Sequence, residues 1–201
     1  MSPKEACEHA KKYGPSEKTR KIACESPPYA YEYAEEVDKC PREDTREAAC
    51  QDSWSAVFYA QYVDKCPRED TRKAACMKPW YGLKYARYVD KCPRKDTRNA
   101  ACKSPEWAYE YALHIDKKPR NDTRKNACKS PECAYLYASN IDQCPRNDTR
   151  EAACKNSCFA YLYAKDIDAK PTKETWLSVK NTEHEEDYKK ILKELIKEQI
   201  I

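Results

Sequence analysis

Thirteen cysteines in a chain of 201 residues are its most chemically capable side chains: nucleophiles, disulfide partners or soft-metal ligands. Metal binding would require ligands at short spacing. No Cys-x-x-Cys pair occurs, and His9, His114 and His184 are scattered. Cys7 and His9 stand two residues apart, which on a helix turns them in different directions and argues against a Cys-His dyad. With Gly14 and Gly82 as the two glycines, the chain has neither a dinucleotide fingerprint nor a P-loop. Nucleophile-elbow and metalloprotease motifs are also missing. No catalytic, cofactor-binding or metal-binding residue is assigned, and the chain is expected not to be an enzyme.

What the cysteines do show is a rhythm. Cys24, Cys50, Cys76, Cys102, Cys128 and Cys154 recur every 26 residues. Between them Asp44-Thr45-Arg46 returns as Asp70-Thr71-Arg72, Asp96-Thr97-Arg98, Asp122-Thr123-Arg124 and Asp148-Thr149-Arg150, each three residues after a proline from Pro41 to Pro145. Self-similarity at this period signals a stacked array. The units are 1-24, 25-50, 51-76, 77-102, 103-128, 129-154 and 155-180, forming an array over 1-180, with a C-terminal amphipathic helix over 181-201. The seventh unit decays, replacing the Asp-Thr-Arg phrase with Glu174-Thr175-Trp176. In the tail Tyr188, Ile191, Leu192, Leu195, Ile196 and Ile200 keep helical spacing behind a Thr182/Glu185 capping box.

Each unit reads as two helices. The first opens at a cap followed by proline or serine, as in Ser26-Pro27, Asp52-Ser53 and Ser104-Pro105. Its apolar stripe is Ala30, Tyr33, Ala34 and Val37 or their equivalents. It must stop before Pro41 and its counterparts, which disfavour helix in the preceding residue. Asp44, Asp70, Asp96, Asp122 and Asp148 are then expected to cap a short second helix of small residues. The fold class is all-α: an α-solenoid of stacked two-helix repeats with a C-terminal capping helix. Leu, Ile, Val and Phe are scarce and 36% of residues are charged, a composition that leans towards disorder. The recurring caps, a net charge of only +4 and sixteen tyrosines outweigh it.

Tyr33, Tyr59, Tyr85, Tyr111, Tyr137 and Tyr163 never vary at their repeat position. A base-stacking ladder is one use of such a row. Interior packing, with each hydroxyl on a repeated polar partner, is the expected one. Asp38 and its equivalents end the first helix, where a negative charge opposes the helix dipole, and Arg46 and its equivalents are expected to pair with them, fastening the loop of each hairpin. Arg42, Arg68, Arg94, Arg120 and Arg146 form a second row that could track phosphates as an alternative nucleic-acid ladder, although two acidic positions per repeat dilute it.

The cysteines after the first helix and those of the Ala-Ala-Cys type lie roughly 9 Å apart along the chain at 1.5 Å per helical residue. A disulfide needs Cα atoms within about 7 Å. Most are expected to be thiols, the Ala-Ala-Cys ones as small buried packing groups. Whether Cys133 or Cys158, which break the pattern, forms a disulfide stays open. The opening Met1-Ser2-Pro3-Lys4-Glu5 shows no apolar signal segment and no stretch reaches transmembrane length, so a cytoplasmic location without membrane contact is expected.

Packing fixes interior positions, so a partner can select only the outward ones. Two sets of these vary between repeats and define an expected protein-binding face: Phe58, Lys84, Leu136 and Leu162 in one, Tyr62, Arg87, Tyr88, Leu113 and His114 in the other. Trp54, Trp80 and Trp107 vary near the helix start. Large apolar side chains here suit recognition, and drift at unconstrained positions would produce similar variety. Charge shifts along the array, from eight acids and three bases in 25-50 to two acids and seven bases in 77-102. That gradient would orient a partner with opposed patches.

The phrase Lys103-Ser104-Pro105-Glu106-Trp107-Ala108-Tyr109-Glu110-Tyr111-Ala112, followed by Ile115-Asp116-Lys117-Lys118-Pro119-Arg120-Asn121-Asp122-Thr123-Arg124, resembles short tandem helical repeats in uncharacterised proteins of bacteriophages and large DNA viruses. The likeness spans residues 2-170. It implies a viral origin, a cytoplasmic location in the host cell and a role in binding a host factor, and it carries no catalytic or ligand residues. The leading expectation is a repeat scaffold that binds a protein through its variable face, as an adaptor or inhibitor. Nucleic-acid binding through the arginine row is the alternative, and self-association through 182-201 is the third.

Overall fold

The computed structural model describes residues 1–198, with side chains described through Lys193. The chain is all-helical among these residues and divides into two compact units, Met1–Ala101 and Cys102–Ile201. In the first unit the helices are α1 Pro3–Tyr13, α2 Glu17–Ala23, α3 Pro27–Glu32, α4 Glu43–Ala49, α5 Ser53–Phe58, α6 Glu69–Ala75, α7 Pro79–Tyr85 and α8 Lys95–Ala101. In the second they are α9 Pro105–Tyr111, α10 Asn121–Ala127, α11 Pro131–Tyr137, α12 Asn147–Ala153, α13 Ser157–Asp166, α14 Lys173–Val179 and α15 Glu185–Glu198. Within each unit an odd-numbered helix packs on the even-numbered one that follows, and the hairpins stack on one another. This is the repeat architecture expected of a two-helix solenoid.

Local chemistry sets the helix starts. Ser2 and Glu5 close a capping box on α1, with Ser2 Oγ accepting the Glu5 N–H at 3.3 Å and Glu5 Oε2 accepting the Ser2 N–H at 2.8 Å. Asp52 caps α5 by accepting the Ser55 N–H at 2.9 Å, and Asn156 caps α13. Where the cap side chain makes no such bond, as at Ser26 and Ser104, a proline still opens the helix.

Two features differ from expectation. The first helices of five repeats do not stop as α-helix but widen into a π-helical turn: Tyr33–Asp38, Tyr59–Asp64, Ala86–Asp90, Ala112–Asp116 and Ala138–Asp142. Bonds from residue i+5 close it, for example the Lys117 N–H to the Ala112 carbonyl at 2.9 Å. Each turn ends on a left-handed residue, with φ of 53° at Lys39, 54° at Lys65 and 54° at Lys91, two positions before the proline. The Asp44-type residues are also not N-caps. Arg42, Arg68, Arg120 and Arg146 hold the cap position, and the aspartate lies inside the first turn, where its carboxylate accepts the next residue's N–H (Asp44 from Thr45, 2.9 Å) and favours the helix dipole.

The arginine caps make no side-chain cap bond, and the next repeat supplies what they lack. Tyr59, fully buried, accepts the Arg42 N–H at 3.0 Å, lies 3.0 Å from the Arg42 carbonyl and shares a hydroxyl contact with Thr45 at 2.9 Å. Tyr85 repeats this on Arg68 and Thr71, Tyr137 on Arg120 and Thr123, and Tyr163 on Arg146 and Thr149. The invariant tyrosine is therefore a core ring whose hydroxyl caps the second helix of the preceding repeat. With alanines and buried threonines, these rings make up most of the core.

The arginine-aspartate contact exists but joins different partners from those expected. Arg20 binds Asp38 through Nε and Nη2, both at 2.8 Å, eighteen residues on and in the next repeat. Arg72 binds Asp90 and Arg150 binds Asp168 in the same bidentate way. The pair fastens repeat to repeat, not the loop of one hairpin, because the Arg-bearing helix faces the following unit.

The C-terminal helix α15 covers the last hairpin. Tyr188 is fully buried with Ala160, Ala164 and Val179, beside Trp176 and Leu192, and its hydroxyl contacts Thr175 at 2.6 Å. It occupies the slot of the repeated tyrosine although the repeat phrase has ended. The side chains of Leu195 and Ile196, and all of Ile200 and Ile201, on which self-association through 182-201 partly rests, lie outside the described residues. Among the described residues no helix is long and apolar enough to cross a membrane.

Candidate partner-binding face

Along α5 and the π turn after it, Trp54, Phe58 and Tyr62 fall at four-residue steps and form one stripe. Trp54 and Phe58 stack with ring centroids 4.6 Å apart, and Phe58 and Tyr62 follow at 5.7 Å. Tyr31 on α3 joins them, edge-on to Trp54 at 5.7 Å and 6.0 Å from Phe58. Burial and a contact with Glu35 push the Tyr31 phenol pKa up. Reading the sequence for variation misses Tyr31, because it looks like one half of a recurring Tyr-x-Tyr pair. The signal available was that its counterparts in the next two repeats are Val57 and Leu83.

The neighbouring stripe on α7 and its π turn holds Trp80, Lys84 and Tyr88 at the same register. The Lys84 ammonium stands 4.9 Å over the Trp80 ring, and the Arg87 guanidinium lies 5.6 Å from the Tyr88 centroid. Tyr62, Trp80 and Tyr88 retain 44%, 38% and 45% of their surface, which makes this region of the first unit an exposed aromatic patch. On the other side, α3 and its π turn carry Glu32 and Glu36, both held by Lys11 at 2.5 and 2.6 Å.

The expected face is not uniform in the second unit. Leu113 and Leu136 are half-buried against the core of Tyr109, Ala112 and Tyr137, and Leu162 is half-buried. His114 is exposed but lies 3.2 Å from Glu110. Trp107 is half-buried and stands one residue out of register with Trp54 and Trp80, which turns it about 100° around the helix, away from their stripe. The variable positions here serve the stack: Asn140 Nδ2 donates to the Tyr109 hydroxyl at 2.9 Å, and the Tyr135 hydroxyl donates to Asp166 at 2.8 Å, each from one repeat to the next. Burial and Asp166 push the Tyr135 phenol up to about 12. Variation at 140 and 166 thus follows a tyrosine thirty-one residues earlier.

Arg42, Arg68 and Arg94 of the first unit and Arg146 of the second are exposed, and Arg120 is half-buried. Each Nε nevertheless lies close to the carboxylate two residues on, from 3.2 Å at Asp122 to 3.8 Å at Asp70 and Asp96. Shallow open concavities recur beside them, one lined by Pro67, Arg68, Glu69 and Asp70. A phosphate entering there would meet a carboxylate with every arginine.

The cysteines separate into two environments. Cys40, Cys66, Cys92 and Cys144 are exposed after the π turns, whereas Cys24, Cys50, Cys128 and Cys154 are half-buried and not fully buried as expected. Burial pushes the Cys50 thiol up to about 12 and those of Cys24, Cys128 and Cys154 to about 11, far from nucleophilic at neutral pH. Cys133 is buried and Cys158 half-buried, and both are thiols. Among the described residues no group of three or more His, Cys, Asp or Glu is placed to hold a metal ion.

Fold and face together define a tandem two-helix repeat protein with an aromatic patch on its first unit. No family model, curated protein or solved structure matches the chain.

Proposed function

We propose that this protein is a non-enzymatic repeat scaffold that binds a protein partner through the aromatic face of its first unit. The observation carrying this reading is the contiguous run from Tyr31 through Trp54 and Phe58 to Tyr62, flanked by exposed Trp80 and Tyr88. Tyr33, Tyr59, Tyr85, Tyr137 and Tyr163 are accounted for by burial and hydrogen bonds inside the stack, whereas Tyr62, Trp80 and Tyr88 keep more than a third of their surface exposed. Exposed aromatic and arginine side chains at the centre of a patch are where binding energy concentrates.

The resemblance to viral repeat proteins extends this to an adaptor or inhibitor acting on a host factor inside the host cell. Affinity capture from a host lysate with the wild type and the Phe58→Ala/Tyr62→Ala/Tyr88→Ala variant tests the face. Loss of specific partners from the variant, with its circular dichroism unchanged, is the expected result; equal recovery refutes a host partner on this face. The arginine-row alternative is separated by binding to random RNA and DNA at two salt concentrations, since phosphate contacts weaken steeply with salt.

A further inference from the structure

The three stripes of the first unit's face are ordered by chemistry. On α3 and its π turn stand Glu32 and Glu36; on α5 and its π turn the rings of Trp54, Phe58 and Tyr62; on α7 and its π turn the cations Lys84 and Arg87. Helix α5 packs between α3 and α7, so the aromatic stripe lies between an acidic and a basic one. Lys11 answers only part of the acidic stripe: one ammonium faces two carboxylates. The repeat period places Glu32, Phe58 and Lys84 at one helical register.

An acidic-apolar-basic order has a symmetry consequence. A two-fold axis along the central stripe, in the plane of the face, turns a second copy over so that its acidic stripe meets the basic stripe of the first, and the reverse. Phe58 then meets its own counterpart, Glu32 faces Lys84, and Glu36 faces the Arg87-Tyr88 pair. Such an isologous contact is self-complementary. An axis across the stripes would instead set acid against acid. We infer that the partner taken by this face is a second copy of the same chain, docked around the aromatic stripe with the two α5 helices parallel; this rests on the binding reading above and names its partner.

The size of the patch sets the strength. Eight residues along a helix span about 12 Å, and three helices at 8–10 Å spacing roughly 20 Å. That is smaller than the ~800 Å² per partner of a standard stable interface. Self-association is therefore weak, micromolar or above, and the two copies exchange readily.

Charge exchange tests it on the full chain. One variant carries Lys84→Glu and Arg87→Glu, giving two acidic stripes; the other carries Glu32→Lys and Glu36→Lys, giving two basic ones. Sedimentation equilibrium up to several hundred micromolar reads self-association, and anisotropy of one labelled variant titrated with the other reads the mixed pair. The wild type should dimerise, each variant alone should lose about tenfold or more in affinity, and the mixture should recover the loss, which also shows that both variants fold. A wild type that stays monomeric throughout overturns the inference. So does a dimer indifferent to both reversals, a mixture that fails to recover, or a dimer lost only on deleting 182-201. If the wild type is monomeric while the Phe58/Tyr62/Tyr88 variant loses a captured partner, the second copy is refuted and the binding face survives; if capture is also unchanged, both fail.

Discussion

At the scale of single residues, the buried arginine-aspartate pairs are not equivalent. Arg72 grips Asp90 with bonds of 2.7 to 3.1 Å and lies 5.5 Å from the centroid of the Tyr85 ring. Arg46 instead turns its Nε to Asp70 at 2.9 Å, leaving Asp64 at 3.5 Å from Nη1; neither oxygen of the buried Asp64 carboxylate has a hydrogen-bond partner among the described residues. Burial pushes the Asp64 pKa up, with Arg46 pulling the other way. Removing Asp90 strands a buried guanidinium, so Asp90→Ala should cost about 3–5 kcal/mol, whereas Asp64→Asn should cost less than about 1 kcal/mol because it removes an ill-satisfied charge. The pH dependence follows from the direction of the shift. A carboxylate whose folded pKa exceeds its unfolded value destabilises the fold while ionised, and the penalty lifts as pH falls through the folded pKa. The stability of Asp64→Asn relative to wild type should therefore decline as pH drops from 7 towards 4. Urea unfolding at several pH values measures this; a relative stability that stays flat or rises on acidification refutes the assignment.

At the scale of elements, the sequence makes the two-helix repeat legible through cap, proline and period, because those signals act within a few residues of chain. It leaves the direction of the Arg-Asp pairing undetermined, since Asp38 is eighteen residues from Arg20 but only eight from Arg46, and proximity along the chain favours the wrong partner. The π turn is hidden for a related reason: no residue type marks it, and its closing position is filled by lysine at Lys39, Lys65, Lys91 and Lys117 where glycine would have announced a left-handed residue. The aromatic face was partly legible; Trp54, Phe58 and Tyr62 came from variation, while Tyr31 and the internal use of Asn140 and Asp166 needed the stack. The left-handed lysines also carry a stability prediction. An L-residue there costs about 1–2 kcal/mol, and glycine returns roughly 0.5–1 kcal/mol of that as unfolded-chain entropy. Replacing Lys39, Lys65 and Lys91 together by glycine should thus gain about 1.5–3 kcal/mol if the sites are independent. A higher urea midpoint with an unchanged denaturant slope is the expected result; a lower midpoint would mean the lysine side chains stabilise the turns by more than the backbone strain costs.

At the scale of the molecule, stability in a stack of repeats is passed between neighbours, so an end must be closed by something shaped like the next repeat. Tyr188 is that closure: its ring fills the slot that Tyr163 fills one repeat earlier, and its hydroxyl meets Thr175 as Tyr163 meets Thr149. Helix α15 therefore takes the place of a first helix, despite having lost the repeat phrase. Nearest-neighbour coupling dictates where its loss is felt. Tyr188→Ala should destabilise its surroundings by about 3–5 kcal/mol, as large-to-small changes of buried aromatics do. Tyr188→Phe keeps the packing and should lose about 0.5–1.5 kcal/mol, the worth of one hydrogen bond, since the Thr175 hydroxyl keeps Thr172 as a partner. Hydrogen exchange read by peptide mass should show amides of α13 and α14 losing roughly a hundredfold or more in protection in the alanine variant and about tenfold in the phenylalanine variant. The helices of Met1–Ala101 should keep their wild-type protection in both. Equal loss of protection throughout Met1–Ala101 would show global cooperativity in place of neighbour coupling. Unchanged protection in α14 would show that Tyr188 does not close the stack.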